Sequence, residues 1–313
     1  MRETVTQTVT QTVAPKPKPP KYTFYFVSHG GPGHPFWTVV IKGMEDAAKR
    51  YNVKAVYYGP EVFSIEEMLD MLETAIEAKP DGLACTITVP EAVDKPLRKA
   101  IDEGIPVVAI NVGDPRPPEE RIPYLVYIGQ DQYLVGVFSA RRLLKEFTPR
   151  RTMVLQYEPG HVGLETRAKG FIDVMKEKGI PVEKVESAPD PARIMEDFKS
   201  YIAAHPDTDA IFCVGTMPTM TAITFLKETG LKGKVRFVGA DVNPDILRGV
   251  MEGYLISTCD QQQYLQGYLG VVSLYLYNER GYTPVEQVLT GPLVVDKSNV
   301  ERIARMRYPE IFG

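Results

Sequence analysis

From Tyr22 onward, short apolar runs alternate with longer segments whose apolar residues recur every three or four positions. YTFYFVS reads as a strand ending at Ser28, and the segment from about Trp37 to Tyr51 as a helix. KAVYYG, GLACTIT and IPVVAIN read as further strands, separated by the helical segments IEEMLDMLETAIEA and EAVDKPLRKAIDEG. Strands joined through helices of this length predict βαβ units and a parallel sheet.

The same order recurs as TMVLQYE, ETRAKGFIDVMKEKG, VEKVES, ARIMEDFKSYIAAH, AIFCVGT, MTAITFLKETG and VRFVGAD. Lys42-Gly43 matches Lys169-Gly170, Asp81 matches Asp209, Cys85 matches Cys213 and Pro90 matches Pro218, at offsets of 127 or 128; Asn111 matches Asp241 at 130. The expected fold class is therefore α/β, with two doubly wound, Rossmann-like parallel-sheet lobes of one topology.

LISTCDQQ, a helix from about Gln263 to Arg280, PLVVD and a short helical tail complete the chain. Shared between equal lobes, they require three crossovers, near Tyr127, Asp260 and Thr290, forming a three-strand hinge of the Venus-flytrap type. The expected division is a disordered Thr/Pro-rich stalk over 1–21, an N-terminal lobe from 22–126 plus 262–289, and a C-terminal lobe from 127–261 plus 290–313.

A chain of 313 residues, 44% hydrophobic and 24% charged, has ample core material, which excludes collagen-like, coiled-coil and wholly disordered classes. Its net charge of −4 and the lack of a basic run interleaved with aromatics argue against a nucleic-acid partner. The first 20 residues, MRETVTQTVTQTVAPKPKPP, are unlike the rest and cannot bury enough apolar surface to offset their ordering entropy. They read as an extended stalk to a signal or anchor segment preceding Met1, which makes an extracytoplasmic, tethered location the expectation. Cys85, Cys213 and Cys259 are widely spaced and are expected to be small buried hydrophobes.

Ligands of open parallel sheets lie beyond the carboxyl ends of the strands. That selects the loops His29–Trp37, Thr86–Pro90, Asn111–Pro118, Glu158–Arg167, Gly215–Pro218 and Asp241–Pro244, with Gln261 on the cleft floor. HGGPG (29–33) resembles the oxyanion-hole segment of proline iminopeptidases, but the chain has no GxSxG nucleophile elbow. It also lacks G-x-G-x-x-G and GK[ST], so neither a dinucleotide nor a P-loop phosphate site is expected. His29, His34 and a cleft carboxylate are the candidate zinc ligands, yet histidines that hydrogen-bond a ligand or solvent are commoner in loops; no metal, cofactor or catalytic residue is assigned.

Binding chemistry remains. Phe36 and Trp37 offer flat apolar faces for a sugar-like ring, with at most one of them expected to pack into the core. Arg167 supplies fixed donors, Asp241 accepts hydroxyl protons, and Asn111 and Gln261 do both. This set suits a neutral polyhydroxylated molecule.

From Tyr22 to about Glu301 the chain resembles the periplasmic sugar-binding proteins of the ribose-binding type, the solute receptors of ABC importers. HPFW (34–37) is similar to the family's N-P-F-F, GIPVVAIN (104–111) to GIPVI-x-x-D, RAKGF (167–171) to RxxGF and VGAD (238–241) to VGFD, while Gln261 falls at the hinge glutamine. The resemblance implies a non-catalytic type I periplasmic binding fold whose site is lined by His34, Phe36, Trp37, Asn111, Arg167, Asp241 and Gln261; Thr86 and Thr216 join them from the cleft loops. It implies a monosaccharide, polyol or cyclitol as ligand, an ABC permease as partner, a monomeric state and membrane contact only through the tether. Three departures stand out: Asn111-Val112 replaces an Asp-Arg pair, Gly215 replaces a ligand-binding Asn, and Pro191 falls near the second lobe's aromatic. They point away from ribose itself. The alternative is a ligand-sensing domain, of a chemoreceptor or LacI-type regulator, on the same fold; residues 1–20 cannot form the helix-turn-helix of the latter.

Overall fold

The computed structural model describes residues 19–312. The N-terminal repeat forms β1 (Thr23–Val27), α1 (Pro35–Tyr51), β2 (Lys54–Tyr58), α2 (Ile65–Glu77), β3 (Gly82–Cys85), α3 (Pro90–Asp102), β4 (Val107–Asn111) and β5 (Tyr127–Gln130). After α4 (Gln132–Leu144), the second repeat forms β6 (Thr152–Gln156), α5 (Val162–Glu177), β7 (Val182–Glu186), α6 (Pro191–Ala204), β8 (Ala210–Cys213), α7 (Thr216–Thr229), β9 (Arg236–Ala240), α8 (Pro244–Met251) and β10 (Leu255–Asp260). The chain ends with α9 (Gln263–Arg280), β11 (Gln287–Gly291), β12 (Leu293–Asp296), α10 (Val300–Arg307) and a final 3₁₀ turn.

Two six-stranded sheets result, ordered β11-β5-β4-β3-β1-β2 and β12-β10-β9-β8-β6-β7. The orders correspond strand for strand, the arrangement that the repeat predicts. The outer strands differ: β11 runs parallel to β5, whereas β12 runs antiparallel to β10, so the second sheet is not wholly parallel. Buried strands such as GLAC and AIFC are apolar throughout because helices cover both faces. All three cysteines are free and buried.

β5 pairs with β4, so the first crossover follows Gln130 and not Tyr127. The other crossovers follow Asp260 and Gly291. At the first two, a strand of one lobe leads into a helix of the other: α4 packs on α5 and α9 on α1. Glycines bring these helix pairs close. A Cβ at Gly43 would lie 2.0 Å from Tyr264 O, and one at Gly170 2.1 Å from Tyr133 O.

Two helices, α4 and α8, have no counterpart in the sequence reading. Val135, Gly136, Val137, Ser139 and Ala140 are all buried, so α4 has no single apolar stripe, and α8 is only eight residues long. The expected stalk lies mainly in residues 1–18, outside the described residues. Its last residues belong to the folded body, since Pro19 O accepts from Asn52 Nδ2 at 3.0 Å and Lys21 N–H donates to Asn52 O at 3.0 Å. Among the described residues, no helix is long and apolar enough to cross a membrane.

Candidate functional site between the lobes

Matching strands β4 and β9 end in matching turns. Asn111 (φ 64°) and Asp241 (φ 72°) both adopt left-handed backbone, a region that short polar side chains tolerate better than most. Gln261, just after β10, joins them across the hinge: its Oε1 accepts from Asn111 Nδ2 at 3.0 Å and its Nε2 donates to Asp241 Oδ1 at 2.5 Å. A donor on one lobe and an acceptor on the other thus fix this amide's orientation. Thr216 Oγ1 donates to Asp241 Oδ2 at 2.7 Å.

Arg167, on the first half of α5, is only 3% exposed. Its Nη1 donates to Val214 O at 2.8 Å and its Nε to Gln132 Oε1 at 2.6 Å, while Gln132 Nε2 donates to Asn111 O at 2.8 Å. The guanidinium is held in place with donors to spare, as a preformed site requires.

On the other lobe, His34 caps α1, its Nδ1 accepting from Phe36 N at 3.1 Å. Phe36 and Trp37 pack edge to face, with ring centres 4.9 Å apart. Both are nearly covered, in a cluster with Val40 and Tyr57, so the expectation that at most one packs into the core does not hold; both also line the cleft. The two roles coexist because Gly30 lets the indole lie on bare backbone, where a Cβ would come within 2.1 Å of Trp37 Nε1.

His34, Phe36, Trp37, Asn111, Arg167, Thr216, Asp241 and Gln261 line one cavity of about 80 Å³. Thr86 does not; it lies beneath His29, its Oγ1 3.0 Å from His29 Nδ1. Pro189 lines the cavity, and Pro191 instead opens α6 on a neighbouring surface groove. At Gly215 the missing side chain is replaced in space by Tyr157, whose ring would stand 2.8 Å from a Cβ there.

Phe63, Tyr157, Glu158 and His161 also line the cavity and are not candidates from sequence; His29 lines it too, although the sequence offers it only as a zinc ligand. Four of these five sit in or beside the loops His29–Trp37 and Glu158–Arg167, which position alone had marked. Phe63, from the loop after β2, carried no signal.

Glu158 and His161 belong to the C-terminal lobe and His29 to the N-terminal lobe. Burial pushes the Glu158 carboxyl up to about 8, Arg167 opposing and Asp241 adding to the effect. Burial holds His29 well below the usual histidine range, helped by His161, His34 and Arg167, and brings His161 down to about 3, helped by Arg167. His34 is lowered by burial, with Asp241 opposing.

One ligand-capable atom from each of His29, Glu158 and His161 lies within 4.8 Å of the others. Their hydrogen bonds speak against a metal. His161 Nδ1 accepts from Gly163 N at 3.1 Å and Leu164 N at 3.2 Å, capping α5, so its proton sits on Nε2. Binding an ion at Nε2 would move that proton to Nδ1 and break both cap bonds. The sequence had paired His29 with His34 for such a site; the fold pairs it with His161 instead.

The periplasmic binding protein domain model matches residues 24–280. The chain is 30% identical over 292 residues to the xylose/arabinose-binding protein XylF of Sulfolobus acidocaldarius, covering 90% of this chain and 70% of that protein. It is 24% identical over 266 residues to the ribose import binding protein RbsB of Bacillus subtilis, covering 84% and 83%. Among solved structures, a carbohydrate transporter from Acidothermus cellulolyticus in complex with myo-inositol superimposes with a TM-score of 0.84 at 29% identity, covering 93% of this chain and 100% of that one.

Proposed function

Because the chain belongs to the periplasmic binding protein family, we propose that it is an extracytoplasmic solute-binding protein that captures a neutral monosaccharide, polyol or cyclitol between its lobes and delivers it to an ABC importer. The observation that carries this reading is the convergence of Arg167, Asp241, Asn111 and Gln261 with the aromatic faces of Phe36 and Trp37 in one interlobe cavity. Hydroxyls need paired donors and acceptors, and the C–H face of a sugar ring needs a flat apolar partner; the cleft offers both.

Charge balance favours a neutral ligand. With its carboxyl pushed up to about 8, Glu158 is mostly uncharged at neutral pH in the closed cleft, which leaves Arg167 facing Asp241. The relatives are consistent with this class, one named for xylose and arabinose and another solved with myo-inositol. The protein acts by binding and not by catalysis, as a monomer whose two lobes supply both walls of the site. Closure is the signal to the permease, stabilised by contacts that form only when both lobes engage the ligand. Residues 1–18 serve as the tether.

A thermal-shift panel of D-xylose, L-arabinose, D-ribose, D-glucose, myo-inositol, nucleosides and amino acids tests the reading. A rise in Tm with one or more of the sugars or polyols is expected, since a ligand that binds only the folded chain stabilises it by mass action. A response confined to nucleosides or amino acids would overturn it.

A further inference from the structure

We propose that the hydrogen bond between His29 and His161 is a pH-sensitive latch between the lobes, with His29 as its titrating member. The inference rests on the reading of a cleft that opens and closes, not on the identity of the ligand.

The two Nε2 atoms lie 3.3 Å apart, one on each lobe, with their rings perpendicular and centres 4.7 Å apart. Direction follows from the cap. His161 Nδ1 is occupied by two backbone N–H groups, so His161 Nε2–H must donate and His29 Nε2 must accept. His29 then carries its proton on Nδ1 and donates to Thr86 Oγ1 at 3.0 Å. The result is a one-way chain, from His161 to His29 to Thr86, that crosses the cleft. Backbone locks the same edge, since Val162 N–H donates to Thr88 O at 3.0 Å.

A proton added to His29 has one place to go, Nε2. Two N–H groups would then face each other at the latch, in a site where His34 and Arg167 also disfavour a positive charge. Glu158, with Oε2 3.8 Å from His161 Nε2, and Asp241 are the nearby acids. His161 is lowered by burial as well, but a proton added to it would have to go to Nδ1 and break both cap bonds, in the open cleft as in the closed one, which makes it the harder of the two to protonate.

The sign follows from linkage. Opening takes the C-terminal lobe off His29 and bares its Nε2 to water, which moves it toward the ordinary histidine value near 6.5; closure therefore expels its proton, and the closed state loses up to about tenfold in population per pH unit below about 6.5. Glu158 acts the other way. Its carboxyl is raised in the closed cleft, so closure takes up a proton between about 4.3 and 8 and weakens as pH rises through that range. Between about pH 4.5 and 6.5 the two nearly cancel, which hides the latch in the wild type and makes Glu158→Gln the variant that exposes it.

Spin labels on the exposed positions Glu66 and Ala192, introduced as Glu66→Cys and Ala192→Cys, would report interlobe distance in the full ligand-free chain; the native cysteines are buried. The closed fraction of the doubly labelled wild type should be nearly flat from about pH 6.5 to 4.5. Adding Glu158→Gln should make the closed-to-open ratio fall by up to about fiftyfold over the same interval. Adding His29→Phe as well, which keeps an aromatic ring against Trp37 and Phe63, should restore a flat profile. A flat profile in Glu158→Gln alone, or an undiminished fall in the double variant, would overturn the latch. Because no ligand is added, failure of every sugar in the thermal-shift panel would count against the proposed function and leave this test standing.

Discussion

At the ends of corresponding strands and on the helices that follow, the N-terminal lobe presents His34, Phe36, Trp37 and Asn111 to the cleft, whereas the C-terminal lobe presents Glu158, Arg167, Thr216 and Asp241. One lobe therefore brings aromatic faces and neutral polar groups, and the other brings the buried cleft's formal charge. Strand order dictates where ligand-facing positions fall, and it leaves their chemistry open. The charged set is largely preorganised within its own lobe, with Thr216 on Asp241 and Val214 on Arg167. We infer that a ligand engages the C-terminal lobe first and that the aromatic lobe closes over its ring.

The largest expected effect comes from the charged wall. Arg167→Ala and Asp241→Ala should each weaken binding of a sugar that passes the thermal-shift panel by about 2 kcal/mol or more, roughly 30-fold, because each removes charge-assisted hydrogen bonds in a buried site. Calorimetry reads the affinity and circular dichroism confirms the fold. Unchanged affinity in both variants would place the ligand elsewhere.

Next comes a pair chosen where the lobes should behave alike. Gly43 on α1 and Gly170 on α5 each let a helix of the same lobe, arriving from the other by a crossover, pack backbone to backbone. Gly43→Ala and Gly170→Ala should each cost about 1–3 kcal/mol in denaturant unfolding, since the clashing atom is a carbonyl oxygen that cannot swing away. Comparable losses would mean that the shared architecture carries equal weight in both lobes. A loss in only one would show that the other crossing has slack.

Those two glycines were legible in the sequence because the repeat aligned Lys42-Gly43 with Lys169-Gly170, and a glycine repeated within a helix has a packing reason. Asn111 and Asp241 were legible for a similar reason, as residues that close matching strands. Other features depend on contacts made far along the chain. The direction of β12 follows from how the hinge segment returns, and no local pattern encodes it. His29 and His161 are 132 residues apart, and their meeting across the cleft depends on how the lobes close. Asn111 in place of an aspartate could be read from sequence only as a lost charge. The fold supplies a reason: Gln261 Oε1 and Gln266 Oε1 both face Asn111 Nδ2, at 3.0 and 3.1 Å, and a carboxylate there would set oxygen against oxygen.

The smallest effect should come from the aromatic wall. Trp37 meets His29 and Phe36 edge-on, at 5.0 and 4.9 Å between ring centres, and lies tilted against Tyr57 at 6.3 Å, so the indole is wedged among rings and keeps only a small surface toward the ligand. Trp37→Phe keeps a flat ring and gives up part of the stacking area. It should lower sugar affinity by about 0.5–1.5 kcal/mol, between about two- and tenfold. A loss as large as that of Arg167→Ala would mean that the aromatic lobe is the primary recognition surface, which would reverse the order of engagement. An affinity equal to the wild type's would mean that Phe36 alone supplies the stacking face and that Trp37 serves the core.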